Sequence, residues 1–137
     1  MKKRTLTFYK KKAWKELSVY VRIKDVDERG YATCYTCGIK KFWRRMTAGH
    51  FVQGRRPSIM FILDIIRVQC IGCNLYRHGN LNRFIPKMIE EHGLDKVLAW
   101  FELAEKTVKV APKEYQKREE QFKRLQKGCK RWGLVNS

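Results

Sequence analysis

The sequence is short of acidic residues and has no long apolar run. No segment reaches the ~20 apolar residues that a membrane-spanning helix needs, and the most apolar stretch, Ile59 to Ile66, is interrupted by Asp64. The basic start, residues 1–4, is not followed by the apolar run of a signal peptide. These absences argue against a membrane or secreted protein. We therefore expect a cytoplasmic protein with reduced thiols.

The imbalance of charge is the strongest feature of the composition. The 137 residues include 31 Lys and Arg but only 13 Asp and Glu, which gives a formal net charge of +18. Self-repulsion at this charge is costly without a partner, so the composition favours binding to a polyanion. Hydrophobic residues make up 44% of the chain, enough for a packed core, and there is no internal repeat or low-complexity linker. We expect a single domain over residues 1–137.

Four of the five cysteines form two Cys-x2-Cys pairs, Cys34 with Cys37 and Cys70 with Cys73. In a chain with reduced thiols, two such pairs indicate zinc ligands rather than two disulfides. Four thiolates complete the tetrahedral coordination of a structural Zn²⁺. The fifth cysteine, Cys129, falls on an apolar helical pattern and is expected in the core.

Sequence periodicity predicts a helix near the start of the chain, followed by short strands. Residues 8–25 are predicted to be helical because their apolar residues recur at helical spacing. Residues 31–53 favour short strands around the first cysteine pair. Gly54 and Pro57 mark a loop. Residues 59–68 fit a buried strand or a buried helix equally well.

The second half of the chain is predicted to be helical. Asn74 begins a short helical stretch, and residues 84–92 form the next helix, with Pro86 in its first turn. We expect residues 81–137 to form a helical C-terminal part, and Pro112 begins its last helix. The helix between them has an apolar stripe that is expected to be buried, formed by Leu94, Val97, Leu98, Phe101 and Ala104.

His50 and Asn74 are the candidate catalytic residues. A metal-dependent nuclease needs a base that activates water and a divalent cation that offsets the charge of the phosphate. Histidine suits the first task because its ordinary pKa lies near neutrality, and Mg²⁺ needs only one or two protein ligands. His78, four residues after Asn74, would share a helix face with it and is a second candidate ligand. The alternatives are an interior histidine at position 50 and a helix cap at position 74.

The order of these motifs resembles the phage NinG/Rap recombination endonucleases, a branch of the HNH or ββα-metal (His-Me finger) nucleases. The resemblance runs from Trp14 to about Val110, and the zinc-framed part is also similar to phage endonuclease VII. The matching pieces are Lys12-Ala-Trp14, Ser18-x-Tyr20-x-Arg22, Cys34-x-Thr-Cys37-Gly38, Ala48-Gly-His50-Phe51, Gly54-Arg55, Gln69-Cys70-x-x-Cys73-Asn74 and Gly79-Asn80. The resemblance implies an α+β fold with a zinc-stapled ββα-metal core over residues 31–80, flanked by helices.

The resemblance also implies a role for each matching residue. His50 corresponds to the general base, Asn74 to the ligand of a catalytic Mg²⁺ or Mn²⁺, the two cysteine pairs to the structural zinc set, and Arg55 to a residue that meets phosphate. The implied reaction is hydrolysis of DNA phosphodiesters at branched recombination intermediates, of the Holliday junction or D-loop type, in the bacterial host of a phage. Three further arginines are candidates for phosphate contact: Arg44, Arg45 and Arg56.

Two positions depart from the family pattern. Gly49 stands where many HNH enzymes have an acidic metal ligand. Ile65 stands where an asparagine usually braces the loop that carries the base, so Asp64 or packing of the loop would have to replace it. Three aromatic residues could stack on unpaired bases but are expected in the core instead: Trp43, Phe51 and Tyr76.

Two other functions fit the same sequence. A non-catalytic zinc module that binds branched DNA would explain Gly49 and Ile65. A sequence-specific HNH nicking enzyme would share the same core. Cleavage of a symmetric junction would favour a homodimer, because two-fold symmetry lets each subunit cut one strand.

Overall fold

A computed structural model of the chain describes residues 4–54 and 56–136. The described residues form a mixed α+β fold, as expected, with two small two-stranded antiparallel sheets and five α-helices. Arg55 lies outside the described residues. No helix in the described part of the chain is both long enough and apolar enough to span a membrane.

Helix α1 spans Leu6–Ile23, close to the predicted range of residues 8–25. It begins two residues early because the Thr5 side chain caps it, accepting a hydrogen bond from the Phe8 amide at 3.3 Å. Its apolar side buries Leu17 and Val21 in the main core.

The two sheets follow α1 along the chain. Strands β1 (Tyr31–Thr33) and β2 (Lys40–Phe42) form the first, and β3 (Met46–His50) and β4 (Ile66–Cys70) form the second. In the second sheet Met46 pairs with Cys70 and His50 pairs with Ile66. This register places the second cysteine pair at the end of the sheet opposite His50.

The apolar stretch that fitted both a strand and a helix is divided between several structures. A buried turn at Ile59 and Met60 leads into a 3₁₀ turn over Leu63–Ile65, and β4 follows at once. After β4 the chain forms a π-helical turn over Gly72–Tyr76. Because the stretch changes from a turn to a 3₁₀ turn and then to a strand, with Ile59, Met60, Ile65 and Ile66 buried, its sequence pattern had no single period.

Helices α2 (Leu81–His92) and α3 (Leu94–Ala104) follow, separated by Gly93. Because α2 begins at Leu81, Pro86 lies beyond its first turn, so the predicted position of Pro86 was wrong. Pro86 removes one hydrogen bond from the interior of the helix.

The buried face of α3 also differs from the predicted stripe. Val97 and Ala104 are buried as expected, together with Trp100, but Leu94 and Leu98 are about half exposed, at 54% and 50%. The apolar stripe was wider than the face that the neighbouring helices cover, so the pattern alone placed its centre incorrectly.

Helix α4 spans Pro112–Lys127 and packs along α1. Gln126 Nε2 donates hydrogen bonds to Glu16 Oε2 at 2.7 Å and to the Glu16 carbonyl at 2.9 Å. The chain then turns at Gly128 into the short helix α5 (Trp132–Val135). A second, smaller core cluster contains Ile23, Trp43 and Met46 together with the paired cysteines. Cys129 is partly buried against this cluster.

A polar cluster joins α2 to the sheets. Glu91 accepts hydrogen bonds from Tyr35 Oη at 2.6 Å and from Arg67 Nη2 at 3.0 Å, and His92 Nε2 lies 3.6 Å from the same carboxylate. Burial acts to raise the pKa of Glu91, but the bonds from Tyr35 and Arg67 outweigh it and hold the pKa below its ordinary value.

Candidate metal centre and adjoining cavity

The four paired cysteines come together at one point between the two sheets. Cys34 follows β1, Cys37 lies in the turn before β2, Cys70 ends β4, and Cys73 lies in the π-helical turn. Their sulfur atoms all lie within 4.8 Å of one another, and the Cys37 and Cys70 sulfurs are 3.7 Å apart. Zn–S bonds of about 2.3 Å in a tetrahedron place sulfurs about 3.8 Å apart. The four side chains could therefore hold a metal ion such as zinc.

Hydrogen bonds to the sulfurs favour thiolates at two of these cysteines. The Thr36 hydroxyl lies 3.5 Å from Cys34 Sγ, and Asn80 Nδ2 donates to Cys73 Sγ at 3.4 Å. Burial acts to raise the pKa of Cys34, but hydrogen bonds from Thr36 and from backbone amides outweigh it and lower the pKa to about 6. Burial, together with the neighbouring thiols, raises the pKa of Cys37 to about 12. Four thiolates this close need a cation to offset their mutual repulsion.

Gln69 connects the two cysteine pairs. It is fully buried, and its Nε2 donates to Thr36 Oγ1 at 3.0 Å and to the Gly79 carbonyl at 2.9 Å. Thr36 accepts this bond through an oxygen lone pair, so its single hydroxyl hydrogen remains available to a cysteine sulfur. Sequence reasoning assigned no role to Gln69 or Thr36. The position of Gln69, within a largely apolar segment and directly before a candidate metal ligand, was the signal that could have identified its role.

Gln69 also explains why no acidic residue stands before His50. A Cβ atom at Gly49 would lie 1.9 Å from Gln69 Oε1 and 2.8 Å from its Cδ. Any side chain at position 49 would therefore displace Gln69 from its two hydrogen bonds. A glycine at position 49 therefore leaves room for Gln69, which connects the two cysteine pairs.

His50 lies at the end of β3 and is only 6% exposed. Its Nε2 lies 3.1 Å from the Met60 carbonyl, and its ring stacks on Trp14 with centroids 5.0 Å apart and planes 19° apart. A carbonyl only accepts hydrogen bonds, so Nε2 carries the proton. In the neutral ring the basic atom is then Nδ1.

The loop that follows His50 is held by packing and backbone hydrogen bonds. The Phe51 amide donates to the Ile65 carbonyl at 3.1 Å, and Gln53 Nε2 donates to the His50 carbonyl at 3.0 Å. Phe51 and Ile65 are both fully buried. Asp64 is exposed, and its backbone carbonyl, not its carboxylate, accepts a bond from Arg67. The loop is thus held by packing and backbone hydrogen bonds, and not by the Asp64 carboxylate.

Asn74 lies in the π-helical turn and shares a cavity with His50. Its Nδ2 donates to Thr47 Oγ1 at 2.9 Å, and Thr47 Oγ1 donates to the Gln69 carbonyl at 2.8 Å. This bond crosses to β3, so Asn74 does not act as a side-chain helix cap. The cavity is open to solvent, has a volume of about 320 Å³, and is lined by Ala48, His50, Gln53, Gly54, Asn74 and Leu75. A larger cavity beside the start of α4 contains none of the predicted site residues that the structure describes.

His78 is separated from this cavity. The π-helical turn ends at Tyr76, so the helix face expected to carry both Asn74 and His78 does not extend that far. His78 has a left-handed backbone with φ of 50°, and it lines a different depression together with Arg77 and Asn80. Its role as a metal ligand stays a prediction.

The candidate arginines lie in different places. Arg44 and Arg45 are exposed in the 3₁₀ turn between β2 and β3, and Arg45 lines a depression beside β2 rather than the His50 cavity. Arg56 Nη1 donates to the Ala104 carbonyl at 3.2 Å, at the end of α3. Arg55 falls outside the described residues. Contact with phosphate stays a prediction for all four.

The three aromatic residues expected in the core behave differently. Trp43 is 5% exposed and Phe51 is fully buried, as expected. Tyr76 is 77% exposed, so the expectation for it was wrong. It lies two residues after Asn74, on the outer side of the π-helical turn.

Taken together, the fold and this site define a small, strongly basic α+β protein with a four-cysteine cluster suited to a metal ion. A comparison with protein-family models matches residues 1–131 to the family described as Bacteriophage Lambda NinG protein. The chain belongs to this family. The NinG resemblance is thereby confirmed, over more of the chain than the motifs alone covered. Neither the curated proteins nor the solved structures include a significant match.

Proposed function

We propose that this protein is a metal-dependent endonuclease that acts on branched DNA during phage recombination. The observation that supports this most directly is that His50 and Asn74 line one open cavity next to the cysteine cluster. Strands β3 and β4 and the π-helical turn follow one another in the order expected of a ββα-metal motif. The family resemblance supplies the choice of branched DNA.

In this proposal His50 is the general base. The Met60 carbonyl holds the proton on Nε2, which makes Nδ1 the atom that takes a proton from the attacking water. The Trp14 stack and the strand end fix the ring plane. A base held in one tautomer and one orientation loses little entropy when it acts.

Asn74 is the proposed protein ligand of Mg²⁺ or Mn²⁺. Because Nδ2 is engaged by Thr47, the amide oxygen is the atom that remains for coordination. Oxygen ligands suit Mg²⁺, which keeps most of its waters when one or two protein groups bind it. When bound, the cation would offset charge on the phosphate and on the leaving oxygen.

The proposed metal in the cysteine cluster is a structural zinc. The sulfur separations fit tetrahedral Zn²⁺, and the hydrogen bonds from Thr36 and Asn80 favour thiolate ligands. The Tyr35 amide also donates to the Val68 carbonyl at 2.9 Å, which ties the first pair to β4. Zinc would thus hold the end of β4, with which β3 pairs, and the Asn74 turn in a fixed relation.

The test is incubation of the purified protein with labelled four-way junction, flap and linear duplex DNA, with and without Mg²⁺ or Mn²⁺. We expect cleavage of the branched DNAs only with the divalent ion. The variant Asn74→Ala should cut slowly and recover partly as Mg²⁺ is raised. Cleavage of one linear sequence in preference to branched DNA would instead identify a nicking enzyme.

One observation favours a second candidate, a non-catalytic module that binds branched DNA. Among the described residues that line the His50 cavity there is no carboxylate, and Gln69 leaves no room for one at Gly49. Such a module would bind the junction but leave it uncut with every divalent ion.

A further inference from the structure

An exposed apolar group lies next to the proposed site. Leu75 and Tyr76, in the π-helical turn, are 62% and 77% exposed, and Ile71 just before it is 41% exposed. Leu75 also forms part of the wall of the His50 cavity. Leu75 and Tyr76 are adjacent in the turn, and exposed apolar side chains beside a site offer a surface to a partner.

The turn that carries these residues is firmly held. Cys73 belongs to the cysteine cluster, and the Asn74 side chain donates a hydrogen bond to Thr47 on β3. The Gly79 amide donates to the Cys73 carbonyl at 2.9 Å and closes the turn. Leu75 and Tyr76 therefore project from a rigid support, as a side chain that inserts into a nucleic acid must.

Charge and size favour a nucleic-acid base as the occupant. Arg77 and His78 are exposed directly after Tyr76, and the chain carries +18. A second copy of the chain would bring two such positive surfaces together, and three side chains are far fewer than the roughly 20 to 30 residues a side of a stable interface. An aromatic ring next to basic residues is instead the arrangement that stacks an unpaired base while cations meet its phosphate.

We propose that Leu75 and Tyr76 contact an unstacked base at the branch point, next to the phosphate in the His50 cavity, and thereby select branched over linear DNA. This proposal rests on the DNA-binding part of the proposed function. A linear duplex keeps its base pairs continuously stacked and offers no free base face, so it gains nothing from the two side chains. Tyr76 supplies the stacking face, and Leu75 supports the base from the cavity side.

The experiment compares binding of a four-way junction and of a linear duplex by the wild type, Tyr76→Ala and Tyr76→Phe. No divalent ion is added, so that cleavage does not interfere. We expect Tyr76→Ala to lower affinity for the junction about tenfold, the effect of losing one base–aromatic stack, and to leave duplex affinity unchanged. Tyr76→Phe keeps the ring and should bind as the wild type does. Leu98→Ala, a half-exposed leucine on α3, is the matched control and should change neither.

A fluorescent 2-aminopurine placed at the branch point gives a second readout. Its emission should fall on binding of the wild type and Tyr76→Phe but not of Tyr76→Ala. An unchanged junction preference in Tyr76→Ala, or an equal loss for both DNAs, overturns the proposal. So does sedimentation that shows a wild-type dimer and a Tyr76→Ala monomer, which would make this surface a contact between copies. A protein that binds but never cuts would defeat only the nuclease proposal, since the junction-to-duplex binding ratio is measured without cleavage.

Discussion

Replacing His50 by alanine is the sharpest test of the proposed mechanism. Without the base, the rate of junction cleavage should fall by about 10² to 10⁴. Raising Mg²⁺ or Mn²⁺ should not restore it, because the metal ligand Asn74 is still present. Affinity for uncut junction should stay close to that of the wild type, since His50 is 6% exposed and offers little surface to DNA.

The same substitution should also cost stability. The stack on Trp14 contributes about 0.5 to 1.5 kcal/mol, and the hydrogen bond to the Met60 carbonyl about 1 kcal/mol. A loss of about 2 kcal/mol lowers the melting temperature of a chain of this length by about 5 to 10 °C. Cleavage must therefore be assayed well below the melting temperature of the variant.

A control of equal instability separates chemistry from folding. Val97 on α3 is 1% exposed and lies in the main core. Val97→Ala should cost about 2 kcal/mol through the lost methyl groups and the cavity, while leaving the base in place. The variant should still cut near the wild-type rate. If His50→Ala cuts as fast as the wild type, or Val97→Ala loses as much activity as His50→Ala, the role given to His50 is wrong.

Three further predictions concern the framework around the site. Cys70→Ser should abolish metal binding and unfold the protein, because structural zinc contributes about 10 to 16 kcal/mol of apparent binding energy. The control Cys129→Ser should keep one zinc per chain by elemental analysis. Two disulfides found by thiol titration of the wild type would contradict the zinc assignment. Gly49→Ala should lower the free energy of unfolding in urea by about 2 to 4 kcal/mol, because its Cβ would lie 1.9 Å from Gln69 Oε1. The double variant with Gln69→Ala should lose less stability than the sum of the two single variants, and strict additivity would argue against the clash. Glu91→Gln should cost about 1 kcal/mol near neutral pH, after allowance for solvent screening. Because the folded pKa of Glu91 is depressed, this contribution is present above the ordinary glutamate pKa and is lost as pH falls through the folded value, so wild type and variant should converge in acid.

The cysteine cluster and the general fold class could be predicted from the sequence. The hydrogen bonds of Gln69 and Thr36 beside the cluster could not. The cysteine spacing is local and chemically specific, so Cys34, Cys37, Cys70 and Cys73 were predicted correctly as one group. Gln69 is different, because its partners are far apart in sequence. A local sequence pattern does not indicate which distant carbonyl or hydroxyl group a buried amide will hydrogen-bond to.

Surface exposure was the least predictable property. Tyr76, an aromatic residue, and Leu98, on an apolar stripe, were both expected to be buried, yet Tyr76 is 77% exposed and Leu98 is half exposed. Periodicity identifies an apolar face but not the element that covers it. On α3 the covered face is set by Val97 and Trp100, and at the π-helical turn no neighbouring element in the described part of the chain covers Tyr76.

The sequence alone was enough to predict the positive charge, the paired thiols and helix α1, because these depend on residue type and short-range spacing. Packing between elements places His50 and Asn74 in one cavity, sets Gly49 against the Gln69 side chain and leaves Tyr76 in solvent. Each of these depends on contacts between segments that are remote in the chain. Such contacts are set by how whole elements pack, which no single segment specifies.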